Sequence, residues 1–92
     1  MDVQTALQAM AAGATVRVTT SYGKVYEGTI DAQWQMAKGT YGPWDRYPVG
    51  HAPQGSKLGA VLYQVRISVV GPGVPAGLTS SVDAKLEELE LV

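Results

Sequence analysis

Hydrophobic and polar residues alternate between residues 14 and 21, a pattern that is typical of a half-buried β-strand. Tyr22 and Gly23 follow, and glycine accepts the positive φ angle that a tight hairpin turn requires. The chain then returns as a second strand at about 24–34, which Gly28 interrupts. A glycine inside a strand marks a sharp bend or a close backbone approach. The stretch therefore predicts a hairpin whose second strand is strongly bent.

A second alternation predicts the longest strand of the chain, at about 58–69. Its apolar side chains share one face, and they are Val61, Tyr63, Val65, Ile67 and Val69. The glycine-rich residues 71–77 predict a turn, and residues 80–81 are predicted to start a helical turn. A strongly bent second strand is typical of a small barrel, and a barrel needs a closing partner for its open edge. The tail at 86–92 is therefore interpreted as a short turn that runs into a final strand.

Residues 2–12 are predicted to form a helix, since Asp2 suits its N-cap and Gly13 its C-terminal end. Its apolar positions recur at helical spacing, and they are Val3, Leu7, Met10 and Ala11. Residues 35–58 follow neither pattern, because glycine and proline recur throughout them. We therefore expect a long loop there, which we call the insert. Loops of this length are usually functional or disordered.

Length and composition limit the classes of protein to consider. The 92 residues suffice for one domain, so residues 1–92 are interpreted as a single unit. The formal net charge of −1 argues against binding duplex DNA through a broad cationic face, although a small nucleic-acid site remains open. Cysteine is absent, which excludes disulfides and thiolate metal sites. Without a signal-peptide pattern or a run of ~20 apolar residues, we expect a cytoplasmic protein that does not enter the membrane.

The helix, the bent hairpin, the long strand and the short terminal strand together resemble the Sm-like family. The hairpin carries the pattern V-x-V-x-T-x-x-G-x-x-Y-x-G-x-I, with its clearest matches at Val16, Val18, Gly23, Gly28 and Ile30. The resemblance implies an all-β fold of Sm/SH3-like type, a strongly bent five-stranded antiparallel barrel behind an N-terminal α-helix. It also implies homo-oligomeric rings of five to seven subunits, in which the fourth strand of one subunit pairs with the fifth of the next. Many members bind single-stranded RNA around the pore.

The positions that contact RNA bases in the family carry other residues in this chain. The family's loop aspartate falls on Trp34, its Met-Asn pair on Ala37-Lys38, and its Arg-Gly pair on Val70-Gly71. The fold resemblance does not depend on these positions. The residue types with which the family contacts RNA bases are therefore missing at these positions, and the aromatic and cationic residues in and beside the insert are the candidates for an RNA site.

The insert and the residue before it combine aromatic rings with cations, the composition that single-stranded nucleic acid requires. Bases stack on the rings, and the cations contact phosphates. The candidate nucleic-acid-binding residues are Trp34, Lys38, Tyr41, Trp44 and Arg46. Two alternatives remain open. The aromatic residues pack the loop onto the barrel or onto a neighbouring subunit, or the loop is disordered.

The residues give no pattern for catalysis, a metal site or a cofactor site, and we expect none of these. His51 is the sole histidine and is interpreted as a solvated loop residue. Glu27 and Asp31 share one face of a strand, where solvent exposure is the ordinary outcome. Asp45 and Arg46 are interpreted as a neutral feature, either a loop salt bridge or a recognition tip.

We therefore predict a divergent Sm-like protein that forms a homo-oligomeric ring and binds single-stranded RNA through the insert. The alternative is a scaffold or protein-interaction module that uses the same insert to contact a partner or a neighbouring subunit. The alternative predicts no salt-dependent RNA binding, and it predicts loss of assembly when the insert is deleted.

Overall fold

The fold is given by a computed structural model, which describes residues 1–68, 73 and 77–92. Helix α1 spans Val3–Ala12, and the described residues after it form six β-strands. These are β1 (Thr15–Thr19), β2 (Val25–Lys38), β3 (Asp45–Pro48), β4 (Lys57–Ser68), β5 (Thr79–Ala84) and β6 (Leu89–Leu91). The all-β class with an N-terminal helix is confirmed.

Helix α1 begins and ends where the sequence predicted. The Asp2 carboxylate accepts a hydrogen bond from the backbone N–H of Thr5 at 2.7 Å, and this bond lowers the pKa of Asp2. At the other end Gly13 adopts a left-handed conformation with φ of 65°, and its N–H donates to the carbonyl of Ala9. Ala6 and Ala9 are buried. Their small side chains allow the helix to lie close to the sheet.

The strands form an antiparallel sheet in the order β5-β4-β2-β1-β6, and β3 pairs with β2 beside this path. β2 is the central strand, with β4 along one side and first β1, then β3, along the other. The sequence predicted a five-stranded barrel, whereas the described residues form six strands because β3 is an additional one. β5 and β6 end the sheet order, and the described residues contain no pairing between them, so this sheet is open.

The prediction of a continuous loop at residues 35–58 is wrong. Residues 35–38 continue β2, β3 lies wholly inside the predicted loop, and β4 begins at the end of it. The glycines and all but one of the prolines fall in the two connections at 39–44 and 49–56, so their density concealed the short strand between them. The exception, Pro48, is tolerated because β3 pairs on one side only, and proline is compatible with an edge strand.

The core lies between α1 and one face of the sheet. Its buried residues are Ala6, Ala9, Val16, Val18, Ile30, Tyr63, Val65, Ile67, Ala84 and Leu89. Val16 and Val18 confirm the alternation predicted for the first strand, and Tyr63, Val65 and Ile67 confirm it for the longest predicted strand. Val69, predicted for the same face, lies outside the described residues.

The C-terminal segment corrects one prediction and confirms another. Residues 80–81 were expected to start a helical turn but lie within β5. The period of two in Val82 and Ala84 decides for a strand, since both side chains turn towards the core and Ala84 is buried. The tail forms the predicted turn, a 3-10 turn at Leu86–Glu88, followed by strand β6, which pairs with β1. The turn predicted at 71–77 lies outside the described residues, except for residues 73 and 77, and so does Val70-Gly71, where the family's Arg-Gly pair falls.

Candidate nucleic-acid interface

Beyond the core, the sheet continues as the end of β2, β3 and the start of β4, which we call the distal arm (residues 34–62). The five predicted binding residues all lie on it, and they are Trp34 and Lys38 on β2, Tyr41 and Trp44 in the connection, and Arg46 on β3. Trp34, Met36 and Lys38 alternate along β2 and so share one face. Arg46 is paired with Met36 in the β2–β3 register, which places it on that same face.

Arg46 makes two contacts on this face. Its guanidinium lies over the indole ring of Trp34, 5.7 Å from the ring centroid. Its Nη2 also donates to Oδ2 of Asp83 on β5. A guanidinium is suited to this combination because it stacks on an aromatic face while its N–H groups bind a carboxylate.

Trp34 is held in place by a polar contact across the sheet. Its Nε1–H donates to Oε1 of Gln64 on β4 at 2.9 Å. The Gln64 amide nitrogen donates in turn to the hydroxyl of Ser81 on β5 at 3.3 Å. The orientation of the Trp34 ring is therefore fixed from β4 and β5, and Arg46 rests on a ring that cannot turn freely.

Lys38 and Trp44 form a second cation–ring contact near the end of the arm. The Lys38 ammonium lies 5.4 Å from the Trp44 ring centroid. The ring itself rests on Gly59 of β4, where an added Cβ would lie 2.9 Å from Cζ3 of the indole. Glycine is thus the residue that leaves room for the ring. Trp44 nevertheless remains 44% exposed.

Tyr41 and Lys57 complete this end of the arm. Tyr41 is fully exposed, at 100% of its accessible surface. Lys57 is paired with Lys38 in the β2–β4 register, so the two cations extend from neighbouring positions on the same face. Two like charges side by side repel each other, and an anion placed between them removes that repulsion.

The five predicted residues therefore fall into two groups. Trp34 and Arg46 already contact each other, Gln64 and Asp83. Lys38, Tyr41 and Trp44 present exposed aromatic surface and, with Lys57, two cations at the end of the arm. The second group has the composition that stacking of bases and neutralisation of phosphates require.

Other polar residues from the sequence analysis make separate contacts, and Glu27 and Asp31 are exposed as expected. Asp45 does not pair with the Arg46 guanidinium; its carboxylate accepts the backbone N–H of Arg46 at 2.8 Å. Glu27 pairs with Arg17 and Asp31 with Arg66, each at 3.1 Å. The two carboxylates are thus engaged separately.

His51 is exposed, and its backbone N–H donates to the carbonyl of Pro48 at 2.9 Å. Across the described ranges, histidine, aspartate and glutamate side chains form no group of three or more that could hold a metal ion.

Three residues of this face were not among the five predicted binding residues: Lys57, Gln64 and Asp83. Lys57 belongs to the predicted insert and adds to its cationic composition, which is the signal that could have selected it. Gln64 and Asp83 had no signal, because they reach the face through strand pairing with partners far away in the chain.

Comparison with known proteins gives no relative. No protein-family profile matches the chain, and neither a curated protein nor a solved structure shows significant similarity to it. In the part of the chain that the structure describes, α1 is too short to cross a membrane, and no other helix is long and apolar enough to do so.

Proposed function

We propose that the chain is a divergent Sm-like protein that assembles through its sheet edges and binds single-stranded RNA on the distal arm. The observation that carries the proposal is the exposed group at the end of the arm, in which the rings of Tyr41 and Trp44 accompany the cations of Lys38 and Lys57.

The strand order supports the Sm-like part of the proposal. Without β3, five strands remain, and the two at the ends of the sheet order are the fourth and fifth along the chain. These are the strands that join neighbouring subunits in the family the sequence resembles. Open edges expose unpaired backbone groups, and pairing β5 of one copy with β6 of the next would satisfy them. The expected assembly is a ring in which each bent five-stranded sheet is one subunit.

The exposed rings support the RNA-binding part. Tyr41 is accessible on both ring faces, and Trp44 is 44% exposed. Each base stacked on such a ring contributes about 1–3 kcal/mol. Lys38 and Lys57 lie beside the rings, where a phosphate of the same strand is within reach. Stacking depends little on the identity of the base, so we expect weak sequence preference.

The test is binding of a fluorescent oligouridylate at low salt, followed by anisotropy. Tyr41→Ala and Lys38→Gln are expected to weaken binding, the first by about 1–3 kcal/mol. The chain offers matched controls in the β1–β2 turn, Tyr22→Ala and Lys24→Gln, which remove an exposed tyrosine and an exposed lysine far from the arm. The controls are expected to bind as the wild type does. Equal losses of RNA affinity for the arm variants and the turn variants, or no binding by the wild type, would reject the arm as the RNA site.

One observation favours the second candidate, a scaffold or protein-interaction module. Arg46, the cation in the middle of the arm, is already paired with Asp83, so the arm carries less free positive charge than its sequence suggests. Light scattering with and without oligouridylate separates the two functions. A mass of five to seven times the 9.7 kDa chain that changes with RNA supports the RNA-binding ring. The same mass without a change supports the scaffold, and a monomer contradicts assembly of either kind.

A further inference from the structure

The Arg46–Asp83 ion pair joins the middle of the distal arm to the edge strand β5. The two residues are 37 positions apart in sequence, and their side chains are 40% and 34% exposed. The pair is therefore accessible to an incoming ligand. Beside it the guanidinium lies over Trp34, whose orientation Gln64 fixes. Arg46 thus lies on the same face as Lys38, and its charge is paired with the Asp83 carboxylate through Nη2.

We propose that Asp83 competes with RNA phosphate for Arg46 and thereby limits the affinity of the distal arm; this inference rests on the proposed function. A carboxylate and a phosphate bind a guanidinium through the same N–H donors. The contact of Arg46 with the Trp34 ring is compatible with a bound phosphate, because a guanidinium over an aromatic ring can donate N–H groups to an anion at the same time. The contact with Asp83 engages Nη2, and the negative charge of the carboxylate opposes a phosphate that approaches the same guanidinium.

The competition has a consequence for the salt dependence of binding. A cation that is neutralised within the protein contributes no net counterion release when RNA binds. Once Asp83 no longer pairs with it, Arg46 adds one phosphate contact. Each such contact on a single strand makes the slope of log K against log salt steeper by about 0.7. A purely structural role for Asp83 would leave this slope unchanged.

The experiment compares the wild type with Asp83→Asn in oligouridylate titrations over a range of salt concentrations. Asparagine keeps the size of the side chain and removes its charge. We expect binding to become roughly two- to fivefold tighter at low salt, the range that corresponds to breaking an exposed ion pair. The slope should become steeper by about 0.7. Asp83→Ser provides a second variant, and urea unfolding establishes that each variant is folded.

Asp45→Asn is the matched control, because it makes the same change of net charge at a second carboxylate beside Arg46. Its carboxylate accepts the backbone N–H of Arg46 and does not contact the guanidinium. Asp45→Asn should therefore tighten RNA binding less than Asp83→Asn does. The double variant Arg46→Gln with Asp83→Asn should lose the gain in RNA affinity that Asp83→Asn shows alone, because the guanidinium that Asp83→Asn releases is then absent.

The outcomes separate this inference from the proposed function. A wild type that binds, together with an Asp83→Asn variant whose affinity and slope are the same, overturns the competition and leaves the RNA site in place. Equal gains in RNA affinity for Asp83→Asn and Asp45→Asn would mean that net charge alone causes the effect, and they would also overturn the competition. Tighter binding and a steeper slope for Asp83→Asn than for both the wild type and Asp45→Asn support the competition. Absence of binding by all variants overturns both proposals.

Discussion

Gly28 on β2 lies directly against the backbone carbonyl of Arg66 on β4, so closely that a Cβ at Gly28 would be 2.0 Å from that oxygen. The same Cβ would be 2.8 Å from the carbonyl carbon and 3.1 Å from Cγ2 of Ile67. Backbone atoms cannot move aside as the end of a side chain can. The contact explains why the bent strand carries a glycine at this position, as the sequence predicted for a close backbone approach.

Gly28→Ala is therefore expected to destabilise the protein by about 3 kcal/mol or more, because β2 and β4 must separate to accommodate the methyl group. The measurement is urea unfolding followed by circular dichroism. Gly39→Ala is the matched control, since an added Cβ at Gly39 meets no atom within 4 Å. The control should stay within about 0.5 kcal/mol of the wild type. Similar midpoints for the two variants would show that β2 and β4 are not as close as described.

Gly59→Ala is expected to act on the site and not on the fold. The added Cβ would lie 2.9 Å from Cζ3 and 3.2 Å from Cη2 of Trp44, and the indole can move away because it lies at the surface. The free energy of unfolding should change by less than about 1 kcal/mol. The ring should become more exposed and lose its contact with Lys38.

Tryptophan emission measures this displacement. The chain has two tryptophans, so the comparison is made in a Trp34→Phe background, where Trp44 alone emits. Gly59→Ala should shift the emission to longer wavelength. Gly42→Ala, whose added Cβ would be 3.8 Å from its nearest neighbour, should leave the emission unchanged. An unshifted spectrum for Gly59→Ala would mean that the ring does not rest on Gly59.

The parts of the fold that could be predicted from sequence are those with a local cause. The period of two in β1 and β4, the Asp2 cap and the Gly13 end of α1 are each encoded within a few residues. β3 was missed because its four residues lie between two glycine- and proline-rich connections and are too few for an alternation to be recognised. β5 was missed because serines next to an acidic residue suit a helix start as well as an edge strand.

In the candidate site, too, the locally encoded features could be predicted and the long-range contacts could not. The rings and cations of the insert could be selected by composition, and the structure places all five on one arm. Their pairing could not be predicted, since it depends on the register that sets Arg46 opposite Met36, and this register follows from the length of the 39–44 connection. Asp83 reaches Arg46 only because β5 pairs with β4, which in turn pairs with β2. No local pattern records such a relationship.

Tyr63→Phe tests the polar contact in the core. Tyr63 is fully buried, and its hydroxyl accepts a hydrogen bond from the Gln33 amide nitrogen at 2.8 Å. Phenylalanine preserves the packing of the ring but removes the acceptor, so we expect a loss of about 1–2 kcal/mol. Tyr22→Phe, at a tyrosine that is 73% exposed, is the control and should change the unfolding free energy by less than about 0.5 kcal/mol. If both variants unfold at the same urea concentration, the Tyr63 hydroxyl does not contribute to stability.

Asp2 gives a pH dependence with a definite sign. The hydrogen bond from the Thr5 N–H favours the carboxylate and lowers the pKa of Asp2 in the folded state. The stabilisation is therefore present in full above the pKa of the unfolded chain, and it is lost as the pH falls through the lowered folded value. Asp2→Ala should be less stable than the wild type at neutral pH, and the difference should shrink as the pH is lowered to about 2. Asp2→Ser caps the helix without titrating in this range, so its advantage over Asp2→Ala should stay constant with pH. If the stability difference between the wild type and Asp2→Ala also stays constant with pH, the ionised carboxylate is not what stabilises the start of α1.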